Sequence, residues 1–229
     1  MKYLCRFWIL SVIVLVACTE KESSNASERI IYKYDRVPVE YVGRKEGVSS
    51  QEYMSWFKKY SSYLAQEIKL DSMVFAALIQ PVDFLVLKSM DSADYKAFIA
   101  ERKQYEGMEY YLFSFGDIDG NDVLKSKIFN NIDRKDLMQH FDFTIQNDFS
   151  LKDCYGERQC VFYHLEPTSG IKPYYTAVIA FERRSDKDTC DKTIIYKDRA
   201  FGKGIIKITI PSEKLKLIPI LKTSNNEII

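Results

Sequence analysis

The chain has 229 residues, with 33 Lys and Arg against 32 Asp and Glu and a formal net charge of +1. That balance leaves no basic footprint for nucleic acid, whose binding rests on Lys and Arg neutralising phosphates. Apolar residues make up 46% and aromatics 14%, enough for a buried core and too much for a disordered chain.

The first element follows Lys2 and Arg6: an apolar run from Phe7 to Ala17. It is shorter than the ~20 apolar residues a spanning helix needs. A positive start, a short apolar core and a small residue before a processing point mark an export signal. The run closes on Leu15-Val16-Ala17-Cys18, and the next residues, Thr19 to Asn25, are polar. This layout resembles a bacterial lipoprotein signal peptide, with Leu15–Cys18 matching the lipobox; an ordinary signal cut near Ala17 and an uncleaved anchor are the alternatives. The resemblance implies that residues 1–17 are removed. Cys18 then becomes the first mature residue, carries thioether-linked diacylglycerol, and attaches the chain to a lipid bilayer. Two or more acyl chains make a lasting anchor without a spanning segment. Thr19, standing where Asp would favour inner-membrane retention, implies the outer membrane of a Gram-negative envelope. Which face of that membrane stays open, and Glu20 and Glu22 are similar to acidic surface-export signals.

Residues 18–29 then form the lipidated Cys and a polar tether, 30–222 a single globular domain, and 223–229 a tail. Residues 30–42 read as an extended edge segment, because Pro38 bars a central strand. Ser49-Ser50-Gln51-Glu52 supplies a capping box for a helix over 50–68. Its stripe is Tyr53, Trp56, Phe57, Tyr60, Tyr63, Leu64 and Ile68, at spacings of three and four. Such a row of aromatics suits packing on a sheet better than a sugar platform.

Met73–Ile79 reads as a strand, broken at Gln80-Pro81, and Val82–Leu87 as a short helix or strand. A second helix is expected over 92–105, capped by Asp91 or Ser92 and ended by Gly107. From residue 108 the pattern turns to β. Strands are expected at Glu109–Phe115, at Phe141–Ile145 by alternation, and at Phe149–Cys154 with Cys160–Glu166. Others are expected at Tyr174–Glu182, Lys192–Lys197, Gly204–Ile210 and, as an edge, Leu215–Leu221. A short helix falls at Lys135–His140. The fold class is α+β: an antiparallel sheet or sandwich over about 108–221, packed with two helices from the N-terminal half.

Past the signal and Cys18, three cysteines remain, in what the resemblance makes an oxidising compartment. Cys154 and Cys160 flank Tyr155-Gly156-Glu157-Arg158-Gln159, which reads as a hairpin loop with a cysteine at each shoulder, so these two are expected to pair. Cys190 is then free, or displaces one partner.

Asp117, Asp119, Asn121 and Asp122 offer oxygens at alternating positions, as a calcium loop does. Position six is Asp122 where an EF-hand needs Gly, and position twelve is Ile128 where it needs Glu. A β-turn around Gly120 is the simpler reading, and no metal or other cofactor is expected. His164 and Glu166 share a strand face and could make a base held by a carboxylate. Nothing marks a nucleophile beside them, and no hydrolase, metalloprotease, P-loop or dinucleotide fingerprint occurs. The expected function is a membrane-anchored, non-catalytic binding or assembly module for a protein partner in the envelope. The alternatives are an immunity or accessory protein for one specific partner, and a hydrolase acting on envelope glycan or peptide.

Overall fold

A computed structural model describes residues 44–90, 94–123, 133–167, 174–184, 190–224 and 227–228. The signal, Cys18, the tether and the expected edge segment at 30–42 lie outside the described residues.

The capping box forms as expected. The Ser49 hydroxyl accepts from Glu52 N–H and the Glu52 carboxylate accepts from Ser49 N–H. It starts α1, Ser50–Leu64, which buries Tyr53, Trp56, Phe57 and Leu64. The helix stops short of Ile68 because Ala65 turns extended. Gln66–Leu70 is instead strand β1, paired antiparallel with β2, Met73–Gln80, across a turn at Asp71, whose φ is +53°. Pro81 then caps α2, Val82–Ser89, whose Phe84 stacks on Phe57 of α1 at 3.9 Å between ring centroids. Helix α3, Tyr95–Gln104, takes its cap from Asp94; Asp91 and Ser92 lie outside the described residues.

Strand β3, Met108–Asp117, leads to α4, Arg134–Gln139. The alternation expected at Phe141–Ile145 is corrected here. His140–Thr144 is a π-helical turn and Ile145–Asp148 a 3₁₀ turn. Phe141 and Ile145 are buried four positions apart, while Phe143 is 76% exposed. The other strands of the main sheet are β4 Phe149–Asp153, β5 Gly156–Leu165, β6 Tyr174–Glu182, β7 Lys192–Asp198 and β8 Gly204–Ile210. The expected edge strand at Leu215–Leu221 is not formed as such. Ser212–Leu215 is a single helical turn behind Pro211, and Leu221 makes one parallel bridge to Val48.

Strands β1 to β8 form one antiparallel sheet in the order β1-β2-β3-β6-β5-β4-β7-β8, and in the expected tail Thr223–Ser224 pairs with Glu227–Ile228 as a separate two-stranded sheet. It curls until β1 stands beside β8, giving a nearly closed barrel. The corner is β5: residues 156–159 pair with β4, residues 160–165 with β6, and the register shifts between Cys160 and Phe162. An extra residue at such a bulge bends a strand and resets its alternation. Arg158 and Cys160 therefore point inward before the bulge and Tyr163 and Leu165 after it, leaving Val161 and Phe162 both exposed.

Aromatic rings fill the interior. Phe149 stacks on Tyr196 at 4.7 Å and meets Phe113 edge-on at 4.8 Å, while Phe75 and Phe201 close the other flank. Phe141, carried in by the π-turn, stacks on Phe115 at 5.2 Å. The period-two alternation of strands places Tyr111, Phe113 and Phe115 on the same inward face, within the strand expected at Glu109–Phe115. Among the described residues, three helices rather than two come from the N-terminal half.

Candidate functional site

The inward face of β3 begins with a charge, Glu109, and its neighbours at the same level are charged too: Arg158 of β5, Asp153 at the end of β4 and Lys192 of β7. All four are buried or have fully buried side chains. Arg158 pairs with Glu109 through one terminal nitrogen and with Asp153 through the other at 2.9 Å. Lys192 Nζ lies 3.2 Å from Glu109 and 2.9 Å from Asp153. The Tyr111 hydroxyl donates to Glu109 at 2.9 Å. Two cations thus neutralise two carboxylates. Burial pushes the Asp153 carboxyl up, but hydrogen bonds from Lys192, Tyr155 N–H and Arg158 outweigh it and hold the group below the usual carboxylate range.

A disulfide stands beside this layer, and it corrects the expected pairing. Cys154 is bonded to Cys190, with Cα atoms 5.9 Å apart, and not to Cys160. The β4–β5 loop is shorter than the polar run Tyr155–Gln159 suggests. Asp153 pairs directly with Gly156 in a two-residue hairpin, so Glu157, Arg158 and Gln159 belong to the strand. Cys160 then falls in mid-strand, facing the core, as a free thiol whose Sγ–H donates to the Phe162 carbonyl. Burial pushes that thiol up to about 11. Iodoacetamide at pH 8 should leave Cys160 unmodified in the folded protein and label it after denaturation; rapid labelling of the native chain would contradict its placement.

Above the ion layer, outside the barrel, lies an open groove of about 460 Å³. Its lining is Val82, Arg102, Tyr105, Glu106, Gly107, Arg183 and Arg184. The end of α3, the start of α2 and the end of β6 meet there. Arg102 Nε pairs with Asp83 at 2.8 Å. Arg183 N–H donates to the Gly107 carbonyl at 2.7 Å, and Arg184 Nη1 donates to the Tyr155 carbonyl at 2.8 Å. Arg184 therefore spans from the groove to the hairpin turn that the disulfide clamps. None of this was visible in the sequence: residues 82, 102–107 and 183–184 share no spacing, and only the β3–β6 pairing brings them together.

The opposite end of the barrel holds the other sequence candidates. Asp117 is buried, and its Oδ1 accepts from Asp119 N–H, Asn121 N–H and Asn121 Nδ2. Gly120 has φ +77°, so this is the hydrogen-bonded β-turn. Asp122 turns elsewhere, to the Tyr175 hydroxyl at 2.9 Å. Among the described residues no group of three or more His, Cys, Asp or Glu is placed to hold a metal ion. His164 is exposed on β5, opposite Val178. Glu166 lies beyond that strand, its N–H donating to the Thr176 carbonyl.

The histidine that does meet a carboxylate is His140. Its Nε2 lies 3.2 Å from Asp148, and its Nδ1 lies 2.6 Å from the Thr144 hydroxyl. Asp148 also faces Arg199 Nε at 2.9 Å. Burial lowers the His140 imidazole below its ordinary range, against the pull of Asp148, and burial raises Asp148 against Arg199 and His140. His140, Thr144 and Asp148 sit four apart through the π and 3₁₀ turns, a relation that a strand at 141–145 would not create. No protein-family model, no curated protein and no solved structure matches the chain.

Proposed function

We propose that this chain is a lipid-anchored envelope protein whose folded domain binds a protein partner through its outer surface. Leu15-Val16-Ala17-Cys18 supports the anchor, with residues 18–29 as a leash to the outer membrane. The observation that carries the binding reading is the position of the groove. The barrel interior is filled by Phe75, Phe113, Phe149, Tyr196 and Phe201, whereas the arginine-lined groove opens outward. A filled barrel suits a scaffold that presents surfaces, not a carrier that encloses a ligand. An immunity or accessory protein is the form of this reading with one dedicated partner.

The anchor is tested by Cys18→Ala, which should abolish palmitate labelling and leave an unprocessed precursor; continued labelling would sink it. The module is tested by affinity capture of the full chain from detergent-solubilised envelopes of the source cell. One dominant, stoichiometric partner is expected, and neutralisation of that partner's activity would single out the immunity form.

The row Thr144–His140–Asp148 favours a second reading, a hydrolase, because a hydroxyl, an imidazole and a carboxylate in sequence are the parts of an activated nucleophile. π-Turns also recur at functional sites. On this reading Thr144→Val should lower hydrolysis of peptidoglycan or of a nitrophenyl ester by about 100-fold or more. Equal turnover by the wild type and the variant would discard it.

A further inference from the structure

We propose that His140 and Arg199 compete for the buried carboxylate of Asp148, which makes the turn between α4 and β4 a proton-sensitive switch. At neutral pH Arg199 holds Asp148; in mild acid the His140 imidazolium takes it over and Arg199 is released to solvent. The switch goes beyond the binding and hydrolase readings and needs neither. Its parts come from three elements: His140 from the end of α4, Asp148 from the 3₁₀ turn and Arg199 from the loop after β7.

The geometry offers one anion to two cations. The Asp148 side chain is 1% exposed; His140 Nε2 stands 3.2 Å from one of its oxygens and Arg199 Nε 2.9 Å from the other. Nε2 and both Asp148 oxygens nevertheless complete no hydrogen bond among the described residues. Charge holds the cluster, without the directional bonds that would lock either partner in place. A buried carboxylate needs one countercharge, and a second is surplus. Arg199 is the one that can leave, its side chain being 70% exposed against 17% for His140.

Nδ1 finds a partner in either protonation state. Thr144 Oγ1 lies 2.6 Å from Nδ1 and 3.4 Å from the His140 carbonyl. The neutral ring accepts the hydroxyl proton at Nδ1. Once a proton from water sits on Nδ1, the ring donates instead and the hydroxyl turns to the carbonyl. Burial is the largest influence on the imidazole and disfavours its charge; Asp148 and Asp198 favour that charge, and Arg199 opposes it. Asp198 is committed to the N–H groups of Ala200, Phe201 and Lys203. Asp142 of the π-turn acts on Tyr163 of β5, and Lys197 acts on Asp148 more weakly than Arg199 does. The contest is therefore between His140 and Arg199. Departure of Arg199 removes the repulsion on the imidazolium, so proton uptake and arginine release favour each other by the same amount.

The test follows the imidazole by NMR from roughly pH 8 to pH 4. It uses the full chain in detergent with His164→Gln, so that one of the two histidines remains. The Arg199 Nε resonance should shift with the same midpoint as His140. Arg199→Gln, at an exposed position, should move the His140 midpoint upward, because the opposing cation is gone. Asp148→Asn, which keeps the shape of the side chain, should move the midpoint downward and abolish the coupled shift of Arg199. Three results would each overturn the proposal: an Arg199 resonance that stays constant while His140 titrates, a midpoint unchanged or lower in Arg199→Gln, and a coupled shift that persists in Asp148→Asn. Loss of the folded spectrum before His140 titrates would overturn it as well.

Discussion

Replacing Cys154 and Cys190 by serine should lower the stability of the folded chain by about 4 kcal/mol. The bridge spans 36 positions in sequence, and the chain-entropy relation for a loop of that length gives roughly that figure. The loop contains all of β5 and β6 and the return to β7, so the unfolded chain gains freedom over a quarter-sheet when it opens. Chemical denaturation of oxidised and serine-substituted chains measures the difference, and equal midpoints would mean that the bridge does not form. Non-reducing peptide mapping should recover Cys154 joined to Cys190 with Cys160 alone; a Cys154–Cys160 peptide would reverse the assignment.

Removing one cation from the buried ion layer should be as damaging. Lys192→Met leaves Arg158 to balance both Glu109 and Asp153, all inside the barrel. An uncompensated buried charge costs about 3–5 kcal/mol, which for a domain of this size is a fall in Tm of roughly 6–20 °C. Adding Glu109→Gln restores neutrality, so the double variant should recover part of the loss; strict additivity would show that the layer is not coupled. The pH dependence has a definite sign. Asp153 is held below the usual carboxylate range in the folded state. Its contribution is therefore present above the unfolded value of about 3.9 and is lost as pH falls through the folded one. In Lys192→Met the acid unfolding midpoint should move upward, because one of the hydrogen bonds that holds Asp153 ionised is gone.

Much of the fold could be read from local signals. The capping box at Ser49 and Glu52 formed atom for atom, and Pro81 broke the chain where its missing N–H requires. The β-rich character from residue 108 onward follows from Tyr, Phe and Ile runs between turn residues. The errors have physical causes. Phe141 and Ile145 are four apart, a spacing that satisfies both a strand face and a helix face, and the exposed Phe143 between them completes a false alternation. Ile68 continues the stripe of α1, but a partner strand five residues further on takes the segment into the sheet. Cys160 seemed to shoulder a loop because Gly156 to Gln159 is polar, yet those residues lie in a strand whose inward positions are charged.

The ion layer was half legible. Glu109 shares its parity with Phe113 and Phe115, and Lys192 shares its parity with Ile194 and Tyr196, so each is a charge at an inward position. A charge there requires an opposite one at the same level. Which strand supplies it depends on the strand order, with β6 inserted between β3 and β5, and no local signal carries that. The groove was not legible at all, because its walls come from two helices and a strand end that only the sheet assembles.

The corner strand has a mechanical meaning. Along β5 the hydrogen bonds change partner at the bulge: the first half belongs to β4, β7 and β8, the second to β6, β3, β2 and β1. Val161 is thus the seam between two cooperative units. The Cys154–Cys190 staple lies wholly within the first unit, which it can hold intact while the second peels away. A barrel pulled from its N-terminal side would open along that seam, releasing the β1–β2 hairpin while the stapled half keeps its shape.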